Sequence, residues 1–207
     1  MERNYVTLPS FWGIEVKHRH ISNNSKSLVV LFPGKNYPCE LPLLYYSSQS
    51  AIENNHDVLL LEYGYQSART DLEYEDIPIL IDECKKAIQQ VKEPYSTLVF
   101  VSKSLGTVIS GKVADELIDG GPIKQLFLTP LNETVPYIQN SNCLVIYGTN
   151  DPQFSQESRE SIEGFNDVQV HSFLNGTHSL EVGSVNESLN VLKEIVELYG
   201  DFFKDIG

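Results

Sequence analysis

A run of β-branched and apolar residues from Thr97 to Val101 stops abruptly at Ser102-Lys103-Ser104-Leu105-Gly106. A helical pattern through Val108, Ile109, Val113 and Leu117 follows at once. No connector separates the two periodicities, so the chain passes from strand to helix within one sharp turn. A strand feeding a helix directly is the building unit of a parallel sheet with helices on its faces. The same unit recurs along the chain. Unbroken apolar runs at Ser27–Phe32, Val58–Glu62, Gln125–Leu128 and Cys143–Tyr147 suit strands buried on both faces. Val168–Phe173 is shorter and alternates, which places it near an edge, and alternation from Ile14 to Ile21 predicts a half-exposed strand. The rest of residues 1–27 carries little pattern.

Helical patterns lie between these runs. Leu41 to Glu53 is one, with no clear register. Asp76 is placed to cap the next, Pro78 falls in its first turn, and Ile77, Leu80, Cys84, Ala87 and Val91 form its apolar stripe. Ser184 and Glu187 have the spacing of a capping box, opening a last helix through Leu189, Leu192, Val196, Tyr199 and Phe203. The alternation predicts an α/β fold: a doubly wound, mostly parallel sheet with helices on both faces. No repeat or linker interrupts it, so residues 1–207 read as a single domain.

Composition narrows the function classes. With 41% hydrophobic and 21% charged residues the chain is globular. Its 28 acidic and 15 basic residues leave a formal charge of −13, which opposes binding to nucleic acid or to acidic membranes. No apolar run approaches a membrane span, and no apolar core follows basic residues at the N-terminus, so neither a transmembrane helix nor a signal peptide is expected. Cys39, Cys84 and Cys143 are odd in number and widely spaced. That argues for a reducing compartment, the cytoplasm, and against a disulfide frame or a zinc site.

The turn itself carries chemistry. A serine hydroxyl is a poor nucleophile unless it is exposed, fixed and close to a base. A tight strand-to-helix turn fixes Ser104 and crowds the residues two before and two after it, where the sequence has Ser102 and Gly106. The helix that starts there aims its first amides at developing negative charge. In these residues the chain resembles the α/β-hydrolase superfamily, with Ser102 where its nucleophile elbow usually has a first glycine. The resemblance spans Leu28 to Phe203.

That resemblance assigns roles to residues at other strand ends. Phe32-Pro33-Gly34-Lys35-Asn36 is, read locally, a Pro-Gly turn without phosphate-loop spacing. By resemblance it is an oxyanion loop, with the backbone amides of Lys35 and Leu105 as donors; Pro33 has no N–H to offer. Gly148-Thr-Asn-Asp151 resembles the acid turn, and His178 lies in the loop after the last strand, where the superfamily's histidine belongs. The order Ser104, Asp151, His178 is the hydrolase order.

Other candidates fit less well. His18 and His20 read as a surface pair on an edge strand, and His171 lies within a strand pattern. His56 and Asp167 precede their strands, at the wrong end of the sheet. Glu133 is the rival acid, because it follows the Gln125–Leu128 strand. The resemblance implies a serine hydrolase acting on a small or exposed acyl ester or thioester, without metal or cofactor. An acyltransferase or peptidase using the same residues remains open, as does a binding protein with a silent site. Residues 129–142 are too few for a cap domain, so an open site is expected. Asp71, Glu73 and Glu75 would disfavour anionic substrates if they faced it.

Overall fold

The structure is a computed structural model that describes residues 1–117 and 121–206. Eight strands form one sheet: β1 (Glu2–Pro9), β2 (Glu15–Ser22), β3 (Ser27–Phe32), β4 (Asp57–Leu60), β5 (Thr97–Lys103), β6 (Lys124–Leu128), β7 (Cys143–Gly148) and β8 (Val168–Phe173). Their order is β1-β2-β4-β3-β5-β6-β7-β8. The sheet is parallel from β4 to β8, while β1 and β2 join antiparallel at one edge.

Seven helices connect the strands: α1 (Pro42–Glu53), α2 (Gly64–Ala68), α3 (Ile77–Gln89), α4 (Leu105–Glu116), α5 (Val135–Gln139), α6 (Gln156–Ser161) and α7 (Val185–Lys204). Successive strand residues face opposite sides, so β3 divides itself between two cores. Val29 and Leu31 pack with Leu43 and Leu44 of α1 and Tyr199 and Phe203 of α7. Leu28, Val30 and Phe32 pack with Leu80 and Ile81 of α3 and Ile109 and Val113 of α4. A smaller cluster joins Phe127 and Val145 to Ile138, Phe154 and Ile162. The doubly wound, mostly parallel α/β sheet is therefore the observed architecture.

Several local expectations need correction. The β1–β2 hairpin puts β2 inside the sheet, and it turns through Ser10–Ile14 with Gly13 at φ 75°. β1 is exposed along most of its length, so it leaves no hydrophobic trace in the sequence. Its cover buries His18, which is not the surface residue expected. Helix α1 buries Ser47, Ser48 and Ser50 beside Leu43, Leu44 and Ala51, and these serines dilute its apolar stripe. The capping box of α7 forms with both reciprocal hydrogen bonds. However, α7 buries Ile195, Tyr199, Phe202 and Phe203 and leaves Leu189 exposed. The segment after Tyr63, expected to be loop throughout, contains α2. Among the described residues no helix is long and apolar enough to cross a membrane.

Candidate active site

Ser104 sits at the end of β5 with φ 52° and ψ −120°, a conformation that costs a non-glycine residue roughly 1–3 kcal/mol. Its surroundings hold it there from both sides. The Ser104 amide donates to the Leu128 carbonyl at 3.0 Å. Its carbonyl accepts from the Thr107 amide at 2.8 Å and the Thr107 hydroxyl at 2.6 Å, and that hydroxyl also meets Thr134 Oγ1 at 2.6 Å. A Cβ on Gly106 would lie 2.5 Å from the carbonyl oxygens of Phe32 and Pro33, so only glycine fits. Ser102 is fully buried and reaches the Leu126 carbonyl at 3.4 Å, which is how a hydroxymethyl group is accommodated there.

His178 Nε2 lies 2.8 Å from Ser104 Oγ, and Nδ1 lies 2.7 Å from Asp151 Oδ2. A carboxylate only accepts, so the proton between His178 and Asp151 belongs to Nδ1. Nε2 is then the acceptor for the serine hydroxyl. Asp151 has no exposed side-chain surface, against 20% for His178. The second carboxylate oxygen of Asp151 accepts from the Gln153 amide at 2.9 Å.

The acid turn and the histidine loop are bound directly to each other. Thr149 and Asn150 donate their amides to the carbonyls of Phe173 and Gly176, each at 2.9 Å. Asn175 returns a hydrogen bond from its amide to Thr149 Oγ1 at 2.8 Å. Gly148 and Gly176 allow this approach, because a Cβ on Gly148 would overlap the Gly176 carbonyl. Arg159 clamps the acid turn from α6, donating to the carbonyls of Thr149 at 2.7 Å and Asp151 at 2.6 Å.

Lys103, the residue before Ser104, is 2% exposed. Its ammonium donates to Thr129 Oγ1 at 3.0 Å and to the His178 carbonyl at 3.2 Å, and lies 4.7 Å from the centre of the Tyr37 ring. Burial lowers its pKa to about 8, against the opposing field of Asp151.

The loop after β3 abuts the serine, since a Cβ on Gly34 would lie 3.4 Å from Ser104 Cβ. Gln66 donates to the carbonyls of Gly34 at 2.8 Å and Lys35 at 2.9 Å, and the Tyr65 hydroxyl donates to the Lys35 carbonyl at 2.6 Å. Tyr65 is thus buried support for the loop, not the substrate-facing surface expected of it. Among the described residues, the amides of Lys35 and Leu105 donate to no protein acceptor.

The structure brings Ser104, His178 and Asp151 into one hydrogen-bonded chain beside the Lys35 loop. It leaves the rivals apart. Glu133 is exposed on a 3-10 turn. His18 is buried, its pKa lowered to about 4 by burial, and its Nδ1 accepts the Glu62 amide at 3.1 Å. His20 meets the Tyr95 hydroxyl at 2.8 Å, and His171 faces Glu194 at 3.1 Å. His56 is held by Ser27 and the Phe203 carbonyl. Asp71, Glu73 and Glu75 are exposed and line no cleft around the oxyanion loop. Sequence reasoning missed Thr107, Arg159, Gln66 and the Gly148–Gly176 contact. The two glycines were the visible signal, one in each loop. Among the described residues, no cluster of three or more His, Cys, Asp or Glu side chains is placed to hold a metal ion.

No family model and no curated protein sequence matches the chain. Solved structures do. An esterase of Pyrococcus furiosus shares 13% identity at a TM-score of 0.72, covering 100% of this chain and 94% of its own. A dienelactone hydrolase of Anabaena variabilis shares 13% at 0.73, with 99% and 98% covered. Est1E of Butyrivibrio proteoclasticus, solved with ferulic acid bound, shares 11% at 0.71, with 92% and 96% covered. In strand order, in the turn that carries Ser104, and in its likeness to these structures over nearly their whole length, the chain has the α/β-hydrolase fold.

Proposed function

We propose that this chain is a serine hydrolase of acyl esters or thioesters, using Ser104, His178 and Asp151 as a catalytic triad. The observation that carries the reading is the Ser104–His178–Asp151 hydrogen-bonded chain, with contacts of 2.8 and 2.7 Å, built on a serine held at φ 52°. As Ser104 Oγ attacks the acyl carbonyl, His178 Nε2 takes its proton, and Asp151 stabilises the resulting imidazolium. The carbonyl oxygen becomes an oxyanion that accepts from the amides of Leu105 and Lys35. Loss of one such donor typically costs about 3 kcal/mol. When the tetrahedral adduct collapses, His178 returns the proton to the departing alcohol or thiol, leaving an acyl ester on Ser104. Water, deprotonated by His178, then attacks that ester and releases the acid.

The substrate is a small molecule, and the reaction takes place within one domain without a cap. The segment between β6 and β7 supports this, since it holds only a 3-10 turn and the five-residue α5. Three buried, unpaired cysteines support a cytoplasmic setting. Labelling with a fluorophosphonate tests the assignment. The wild-type protein should be labelled on Ser104, and Ser104→Ala should be folded, unlabelled and inactive on 4-nitrophenyl esters. An adduct on Ser102 instead would refute it.

A further inference from the structure

Cations gather in one place on this acidic chain. A cleft of about 620 Å³ opens over the ends of β3 and β4, and Lys17, Arg19, Lys35 and Arg69 line it. These are four of the chain's 15 basic residues, in a molecule with formal charge −13. Only Glu40 and Glu62 oppose them there. Glu40 is engaged by Arg19 at 2.8 Å, and Glu62 accepts from the Ser67 hydroxyl. Lys17, Lys35 and Arg69 form no ion pair among the described residues.

Arg69 is placed against its own backbone preference. It ends α2 at φ 56° and ψ 43°, the left-handed conformation that usually falls to glycine at a helix end. Its amide bonds the Gln66 carbonyl and the next amide bonds the Tyr65 carbonyl, so the turn is fixed by the same helix that clamps the Lys35 loop. The cleft and the candidate oxyanion amide therefore share a wall. A substrate carbonyl bound at the Lys35 amide lies at the mouth of a cleft whose unpaired charges are positive.

We infer that this cleft is an anion subsite, and that the substrates are esters or thioesters carrying a carboxylate or phosphate group, which Lys17, Lys35 and Arg69 engage beside Ser104. The inference rests on the hydrolase reading for the reaction but not for the binding. It replaces the expectation that acidic loop residues turn anions away. Like charges held together on an otherwise acidic surface favour an oxyanion, with selectivity that weakens in salt.

The test has two arms on the full-length protein. In the first, kcat/KM is compared for 4-nitrophenyl hydrogen adipate, a 4-nitrophenyl phosphonobutanoate and neutral 4-nitrophenyl hexanoate, each corrected for spontaneous hydrolysis. One or both anionic esters should be preferred, the better of them marking carboxylate or phosphate as the natural group. In Lys17→Ala/Arg69→Ala the anionic-to-neutral ratio should fall about tenfold, as expected for two or three exposed charge contacts acting together. In the second arm, calorimetry measures binding of the same anionic esters to Ser104→Ala, with and without the two cleft substitutions. Binding that depends on Lys17 and Arg69 without turnover by the wild-type protein would keep the subsite and remove the hydrolase. Turnover of the hexanoate with no anionic preference, or a ratio unmoved by the double substitution, would overturn the subsite and keep the hydrolase.

Discussion

The ammonium of Lys103 donates to the backbone carbonyl of His178 at 3.2 Å, tying the residue before the candidate nucleophile to the candidate base. No carboxylate pairs with that ammonium among the described residues, and burial lowers its pKa from 10.5 to about 8. Between those values the unfolded chain holds a proton that the folded chain has lost. Stability from this group therefore rises with pH from about 8 to 10.5. Below pH 8 the buried charge costs on the order of 3 kcal/mol.

Lys103→Met removes that charge. Urea unfolding at pH 7 and pH 10 should show the wild type gaining on the variant by roughly 2 kcal/mol or more as pH rises. An unchanged difference would mean that Lys103 does not titrate in this range. Lys103 acts through His178, so its loss should also lower kcat more than it raises KM.

Asp151→Asn keeps the shape of the acid turn but removes the group that fixes the Nδ1 proton. Hydrolysis should fall on the order of 10⁴-fold, with the fold unchanged by circular dichroism. Glu133→Gln, on the exposed 3-10 turn, should leave kcat within about twofold. The reverse pattern would transfer the acid role to the end of β6.

Gly148→Ala drives a methyl group into the Gly176 backbone, and neither loop can yield without parting Asp151 from His178. Such overpacking typically costs about 1–3 kcal/mol. The kinetic effect should be larger, on the order of 10²-fold in kcat, because a base displaced by about 1 Å loses its alignment. Thermal unfolding and turnover on one preparation separate the two effects. A variant that is destabilised but retains full kcat would show that the glycine contact serves packing alone.

Gln66→Ala releases the carbonyls of Gly34 and Lys35 on their outer side while Tyr65 still holds one of them. The Lys35 amide should then be less well aimed, with kcat lowered about tenfold and KM little changed, as expected for a contact felt in the transition state. A rise in KM at constant kcat would assign Gln66 to ground-state binding.

The central sheet was readable because β3, β5, β6 and β7 are buried on both faces, which makes each an unbroken apolar run. β1 was not, because an edge strand exposed along most of its length needs no apolar residues and is held by its pairing with β2. Ser104, Asp151 and His178 could be picked out because each follows a strand, so local pattern and function coincide. Arg159 and Gln66 escaped notice because their roles lie in reaching backbone carbonyls across the fold, which leaves no periodic mark. The cationic cleft escaped for a similar reason. Lys17 and Arg19 come from β2, Lys35 from the loop after β3, and Arg69 from the end of α2.

The hydrogen bond between Ser104 and His178 joins positions 74 residues apart, and the one between His178 and Asp151 spans 27. A chain emerging from the ribosome presents the serine and then the carboxylate well before any base exists to serve them. Contacts of such long sequence separation form late and slowly. The hydroxyl thus stays chemically quiet until β8 has docked on β7 and delivered its loop. During refolding, fluorophosphonate labelling becomes a clock for that last strand, lagging behind probes of the β3–β5 centre.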